Sequence, residues 1–174
     1  LEKVEIEKSR LTGFMKDAES IEKLRIQLED AESHLSHVDK ELEGLLEEKN
    51  LLSTEIKRGK QQKEDAMTEL KLLQSTRPGF FIYWFNKTVR TQYKKALTAT
   101  LTKYNQLSEE ITKQKTSLQA LDLRVEKQRK IQEQSQKDYD RINSDYARLS
   151  ELTEAARQEL KGAYADASFW KQIE

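Results

Sequence analysis

Ser75-Thr76-Arg77-Pro78-Gly79-Phe80-Phe81-Ile82-Tyr83-Trp84-Phe85-Asn86-Lys87 is the stretch on which the fold turns, because it holds the only proline of a 174-residue chain. Proline biases the preceding residue away from helical geometry, and Pro-Gly is a strong turn signal. A helix arriving from the N-terminal side is therefore predicted to end near Thr76. A second helix is predicted to begin between Phe81 and Thr88, with Asn86 or Thr88 as its cap.

On the N-terminal side, apolar or small residues recur at alternating spacings of three and four: Ile21, Leu24, Leu28, Ala31, Leu35, Val38, Leu42, Leu45, Leu52, Ile56, Ala66, Leu70 and Leu73. Lys49, Gly59 and Lys63 occupy the remaining positions of the same register without breaking it. On the C-terminal side the seam runs through Leu97, Thr100, Tyr104, Leu107, Ile111, Gln114, Leu118, Leu121, Val125, Gln128, Gln132, Ser135, Tyr139, Ile142, Tyr146, Leu149, Thr153, Ala156, Leu160, Ala163, Ala167 and Trp170. A heptad phase held this long signals a coiled coil. The polar run from Gln128 to Ser135 is expected to weaken the second seam.

Two seams of similar length on either side of a turn predict an all-α fold, a long antiparallel two-helix coiled-coil hairpin with a short aromatic and basic tip. At 1.5 Å per residue each arm would extend roughly 110 Å. In such a hairpin facing positions have numbers that add to a constant. A constant of 170 sets Gly59 beside Ile111, Ala66 beside Tyr104, Ala31 beside Tyr139 and Leu28 beside Ile142, so that small residues repeatedly meet large ones. It also sets Lys49 beside Leu121 and Lys63 beside Leu107, where lysine stems can cover leucine. A parallel two-chain rod would leave both the turn and the matching arms unexplained. The expected organisation is a first arm over 1–76, a tip over 77–88 and a returning arm over 89–174. Upstream of Ile21, Leu1, Val4, Leu11, Met15 and Ala18 form a seam out of step with the main one, which leaves two readings open: an elbow near residues 12–20, eased by Gly13, or a tolerated stutter or frayed helix end.

Composition narrows the function classes. Lys and Arg number 31, matched by 31 Asp and Glu, and only five Gly accompany the single Pro. That profile suits long helices with narrow seams rather than a thick core. Cysteine is absent, which rules out disulfides, thiol catalysis and thiolate zinc sites. No apolar run reaches the ~20 residues needed to cross a bilayer. The chain opens on Leu1, without a signal sequence, and is read as an internal segment of a larger cytoplasmic protein. Catalytic chemistry has no foothold: there is no Gly-rich phosphate loop, nucleophile elbow or paired-carboxylate pocket. His34 and His37, three apart with Glu41 beyond, could present two ligands on one helix flank, but both sit next to seam residues as ordinary flanking positions do. No cofactor is expected.

The zero net charge is unevenly spread. Residues 1–76 carry 18 acids and 13 bases, and residues 96–174 carry 13 of each, while residues 77–95 hold Arg77, Lys87, Arg90, Lys94 and Lys95 and no acid. Six consecutive large apolar residues, Phe80 to Phe85, are more than a turn requires. Phe80, Trp84 and Phe85 could fold over the last layers around Leu73 and Leu97 as a plug. Part of the run could instead stay exposed inside the basic ring as a binding surface. The candidate contacts are Arg77, Phe80, Phe81, Tyr83, Trp84, Phe85, Lys87, Arg90 and Lys94. Aromatics among bases suit unpaired nucleotides, an anionic membrane face or an apolar pocket on another protein. A protein partner ranks first, nucleic acid second and a membrane surface third, with homodimerisation through tip or arms also open.

The segment from Arg77 to Thr88, followed by Tyr93-Lys94-Lys95-Ala96-Leu97, resembles the Pro-Gly-aromatic, basic junction between long helices in coiled-coil insertions of some bacterial superfamily 1 helicase-like ATPases. The resemblance covers about twenty residues. It implies a non-catalytic arm projecting from an ATP-driven motor that lies outside this sequence, with the tip contacting a protein or nucleic acid. The other reading is a structural spacer or dimerisation rod of a secretion, cytoskeletal or membrane-associated assembly.

Overall fold

The computed structural model describes the backbone of residues 2–173 and the side chains of residues 2–6, 8–159, 161 and 162. Over that span the chain forms α1 (Glu2–Ser75), a single turn and a half as α2 (Phe80–Phe85), and α3 (Lys87–Ile173). α1 packs against α3 in antiparallel sense, so the protein is an all-α helical hairpin. α3 starts two residues earlier than the returning arm was placed. Mid-helix hydroxyls, which compete with the helix when left free, are satisfied by it instead: Thr12, Thr54, Thr68, Thr112 and Thr153 each donate to the carbonyl four residues back.

The seams lie where periodicity places them. Every seam position from Ile21 to Leu73 and from Leu97 to Ala156 is buried or half-buried. Leu160, Ala163, Ala167 and Trp170, like Leu1, lie outside the described side chains. Two compact units divide the hairpin, one of residues 42–127 and one of residues 1–41 with 128–174.

In the unit of residues 42–127 the buried apolar side chains are Leu42, Ile56, Ala66, Ile111, Leu121 and Val125, with Thr100 the buried polar one. Burying one such apolar side chain is worth about 1.5–3 kcal/mol for the larger ones, so stability is spread along the seam instead of residing in a central core. Gly59 lets the helices approach: a Cβ there would stand 3.1 Å from Ile111 Cγ1. The two seam lysines find partners on α3. Lys49 Nζ pairs with Asp122 Oδ1 at 2.7 Å, and Lys63 Nζ lies 5.3 Å from the centre of the Tyr104 ring.

In the unit of residues 1–41 with 128–174, Val38 is 2% exposed and Ser135 is buried. The polar run here is a set of cross-links. Gln128 Nε2 donates to the Val38 carbonyl at 3.3 Å and to Glu41 Oε2 at 3.0 Å, and Gln132 Nε2 donates to Asp39 Oδ1. On the outer face Arg25 bridges Glu22 and Glu29. Its hydrogen bond to Glu22, reinforced by charge attraction, holds that carboxyl below the usual range against a smaller opposing desolvation.

The N-terminal end differs from expectation. α1 stays helical through residues 12–20, and Val4, Leu11 and Met15 are exposed, as is Ala18. Phe14, in phase with the main seam, is half-buried instead, and it lines a cleft with Arg10, Gly13, Asp17, Ala156 and Glu159. The facing numbers still add to about 170 there, so the main seam continues upstream and the out-of-step stripe faces solvent. A continuous helix carries its face forward, and single exposed apolar residues cost little.

Candidate partner-binding tip

α1 ends where proline demands it. The Thr76 amide and hydroxyl both donate to the Leu72 carbonyl, at 2.9 and 2.8 Å, and the Ser75 hydroxyl donates to the same oxygen at 2.9 Å. Pro78 cannot extend that ladder. Gly79, at φ −55° and ψ 154°, holds extended backbone that any residue adopts and opens α2 through Tyr83 N–H donating to its carbonyl at 2.9 Å. α2 thus begins at Phe80 as a separate short helix, while the returning helix α3 begins at Lys87, inside the predicted window.

Asn86 serves both helices. Its backbone leaves helical geometry at φ −107° and ψ 95°, and its N–H closes α2 on the Ile82 carbonyl at 2.9 Å. Its side-chain Oδ1 accepts from the Val89 amide at 3.2 Å while its carbonyl accepts from Arg90 N–H at 3.1 Å. That is an N-cap bond to the third residue of α3, so of the two candidates Asn86 is the cap.

The plug does not form. Phe80, Phe81, Ile82, Trp84 and Phe85 are 68, 74, 56, 60 and 82% exposed, and none of the six residues of α2 is buried. Only Tyr83 turns inward to half-burial, meeting Tyr93 edge to face at 6.4 Å and lying under the Arg77 guanidinium at 5.2 Å. Tyr93 was not among the predicted contacts; its signal was an aromatic one turn into α3, in step with Arg90 and Leu97. The exposed rings gather on one another: Phe80 meets Phe81 edge-on at 5.7 Å and Trp84 at 5.9 Å, and Phe81 stacks on Phe85 with an interplanar angle of 10°.

Around this cluster the predicted bases stay accessible. Arg77, Lys87, Lys94 and Lys95 are exposed and Arg90 is half-exposed. From Leu70 to Ser108 the chain contains seven bases and no carboxylate side chain. The tip therefore presents positive charge around an apolar centre. Exposed apolar residues on the arms, such as Ile26, Leu51, Leu123 and Leu152, are scattered singly. Five together on α2 are a patch, and patches of this kind mark interaction sites.

Among the described residues no group of three or more His, Asp or Glu is placed to hold a metal, and His37 Nε2 lies 3.2 Å from Glu41 Oε1. No described helix is long and apolar enough to cross a membrane. No protein-family model, curated protein or solved structure matches the chain.

Proposed function

We propose that this chain is a non-catalytic interaction arm of a larger protein, and that its tip is the part that contacts a partner. The observation that carries the reading is the exposure of five adjacent large apolar side chains on α2. Leaving them in water is unfavourable by about 25 cal/mol per Å² of apolar area, and nothing in hairpin formation requires them. A spacer rod would have no use for such a tip. The likeness of residues 77–97 to the helix junction in helicase-like ATPase insertions supports an arm carried by an ATP-driven motor in the cytoplasm.

The test is a photo-crosslinking amino acid placed at position 84 and, for comparison, at the exposed arm positions 51 and 123. Adducts of any kind, protein, lipid or nucleic acid, should concentrate at position 84 in cells expressing the parent protein. Equal yields along the arms, or none at the tip, would replace the interaction arm by a spacer.

A further inference from the structure

The shape and chemistry of the tip narrow the class of partner. α2 is six residues long, and all six are large and apolar or aromatic. Successive residues of a helix are turned by 100°, so six of them point in every direction around the axis, and the exposed five leave no polar side on α2. A groove on another protein takes one stripe of a helix, at spacings of three and four, and leaves the opposite face polar. A helix that is apolar all round belongs in a packed core or in lipid.

Nucleobase stacking fits less well. A stacking platform needs ring faces left free for bases. Here the rings contact one another instead of standing apart: Phe81 and Phe85 lie nearly parallel with centroids 6.4 Å apart, and Phe80 meets Phe81 and Trp84 at 5.7 and 5.9 Å, so a base entering between them would have to part the cluster. Trp favours the membrane–water boundary, where its apolar ring and polar N–H are both satisfied, and Trp84 is exposed on α2 among Phe80, Phe81 and Phe85.

Charge supplies the other half of the recognition. Arg77 stands three residues before α2, and Lys87, Arg90, Lys94 and Lys95 lie in the first two to three turns of α3. No carboxylate between Leu70 and Ser108 opposes them. Bases at this distance from an inserted apolar segment face the headgroup layer, where anionic lipids attract them.

We infer that the tip binds an anionic lipid surface: α2 enters the interfacial layer, and Arg77, Lys87, Arg90, Lys94 and Lys95 hold the headgroups. This rests on the tip being the contact site, and specifies its partner. The hairpin is then a peripheral membrane contact, since one short helix reaches the interface without spanning it.

The experiment uses the whole 174-residue chain with Trp170→Phe, which leaves Trp84 as its single tryptophan. It is titrated with vesicles of phosphatidylcholine mixed with phosphatidylserine, with vesicles of phosphatidylcholine alone, and with oligothymidylate. Binding to the phosphatidylserine vesicles should blue-shift Trp84 emission and expose it to quenching by bromine-labelled acyl chains. F81S/F85S alters side chains that are 74 and 82% exposed, so helicity should be kept while vesicle affinity falls about 100-fold. K94E/K95E should weaken binding by at least about 30-fold at low salt and much less at high salt. Vesicle affinity untouched by F81S/F85S would mean charge attraction without insertion, and would overturn the inference. So would absence of vesicle binding, or tighter binding to oligothymidylate than to vesicles. In those cases crosslinking concentrated at position 84 would still uphold the tip as an interaction site with a different partner, whereas uniform crosslinking would remove both readings.

Discussion

Gly59 and Gly44 are both interior glycines of α1 in the same compact unit, and replacing each by alanine separates helix propensity from interhelical packing. Alanine is favoured over glycine inside a helix by about 0.8–1.0 kcal/mol. At Gly44 nothing lies within 4 Å of the added methyl, so the whole gain should appear. At Gly59 the methyl would meet Ile111 Cγ1 at 3.1 Å, Ile111 Cδ1 at 3.6 Å and the unpartnered, buried Gln114 Oε1 at 3.8 Å. Carbon pairs are comfortable at about 3.5–4.0 Å, so Ile111 must retreat by a few tenths of an ångström. It is 5% exposed, and whatever it yields must be taken from the cleft that it lines with Gly59, Leu107 and Gln114, which offsets the propensity gain. Gly44→Ala should therefore stabilise by about 1 kcal/mol, a rise of roughly 2–4 °C in Tm, while Gly59→Ala should gain nothing. Gly59→Leu should go further and destabilise, as overpacking typically costs about 1–3 kcal/mol. Thermal and urea unfolding followed by circular dichroism at 222 nm measure all three. Equal gains from the two alanines would show that α1 and α3 do not approach closely at Gly59, and would refute the register in which Gly59 faces Ile111.

Other substitutions probe the remaining contacts. Val38→Leu, at a site 2% exposed, should cost about 1–3 kcal/mol, whereas Ala31→Leu should cost less, because Ala31 borders an open groove with Gln27, His34, Ser135 and Ile142; urea midpoints rank the two. That order is the reverse of the one expected from Tyr139 opposing Ala31 alone. Asn86→Ala should lower stability by about 1 kcal/mol through loss of the cap on Val89 N–H, and Asn86→Ser should restore most of it. A double-mutant cycle on Lys49 and Asp122, whose side chains are 39 and 48% exposed, should give a coupling below about 1 kcal/mol that disappears at high salt.

Much of the fold was legible in sequence because its constraint is periodic. A three-four spacing repeated over many turns fixes one face of each helix, and the single Pro fixes where α1 must stop. What escaped reading was local. Val4, Leu11 and Met15 looked like a displaced seam, yet the longer seam sets the phase of an unbroken helix and brings Phe14 inward. Gln128 and Gln132 read as weak layers because composition cannot show that Glu41, Asp39 and the Val38 carbonyl stand within reach of their amides. At the tip, the residue types and the basic surround were plain, but a six-residue apolar run has no period by which to tell a helix from a plug or a loop. Its exposure depends on where Asn86 ends one helix and starts the next.

The amide cross-links of Gln128 and Gln132 also govern how this unit would slip. Leucine layers are nearly interchangeable, so sliding α3 by one heptad along α1 would still set apolar against apolar at many levels. The glutamines do not translate in the same way: shifted one way they meet Leu35 and Ala31, and shifted the other they meet Lys49 and Leu45. In the first of these registers Gln132 would find Glu32 where Asp39 stands, but Gln128 would find His34 where Glu41 stands, and loss of that carboxylate acceptor disfavours the move by about 1–3 kcal/mol. The polar station acts as a detent, giving an otherwise repetitive seam one preferred stop. Replacing both glutamines with leucine should leave the helices paired while permitting them to creep.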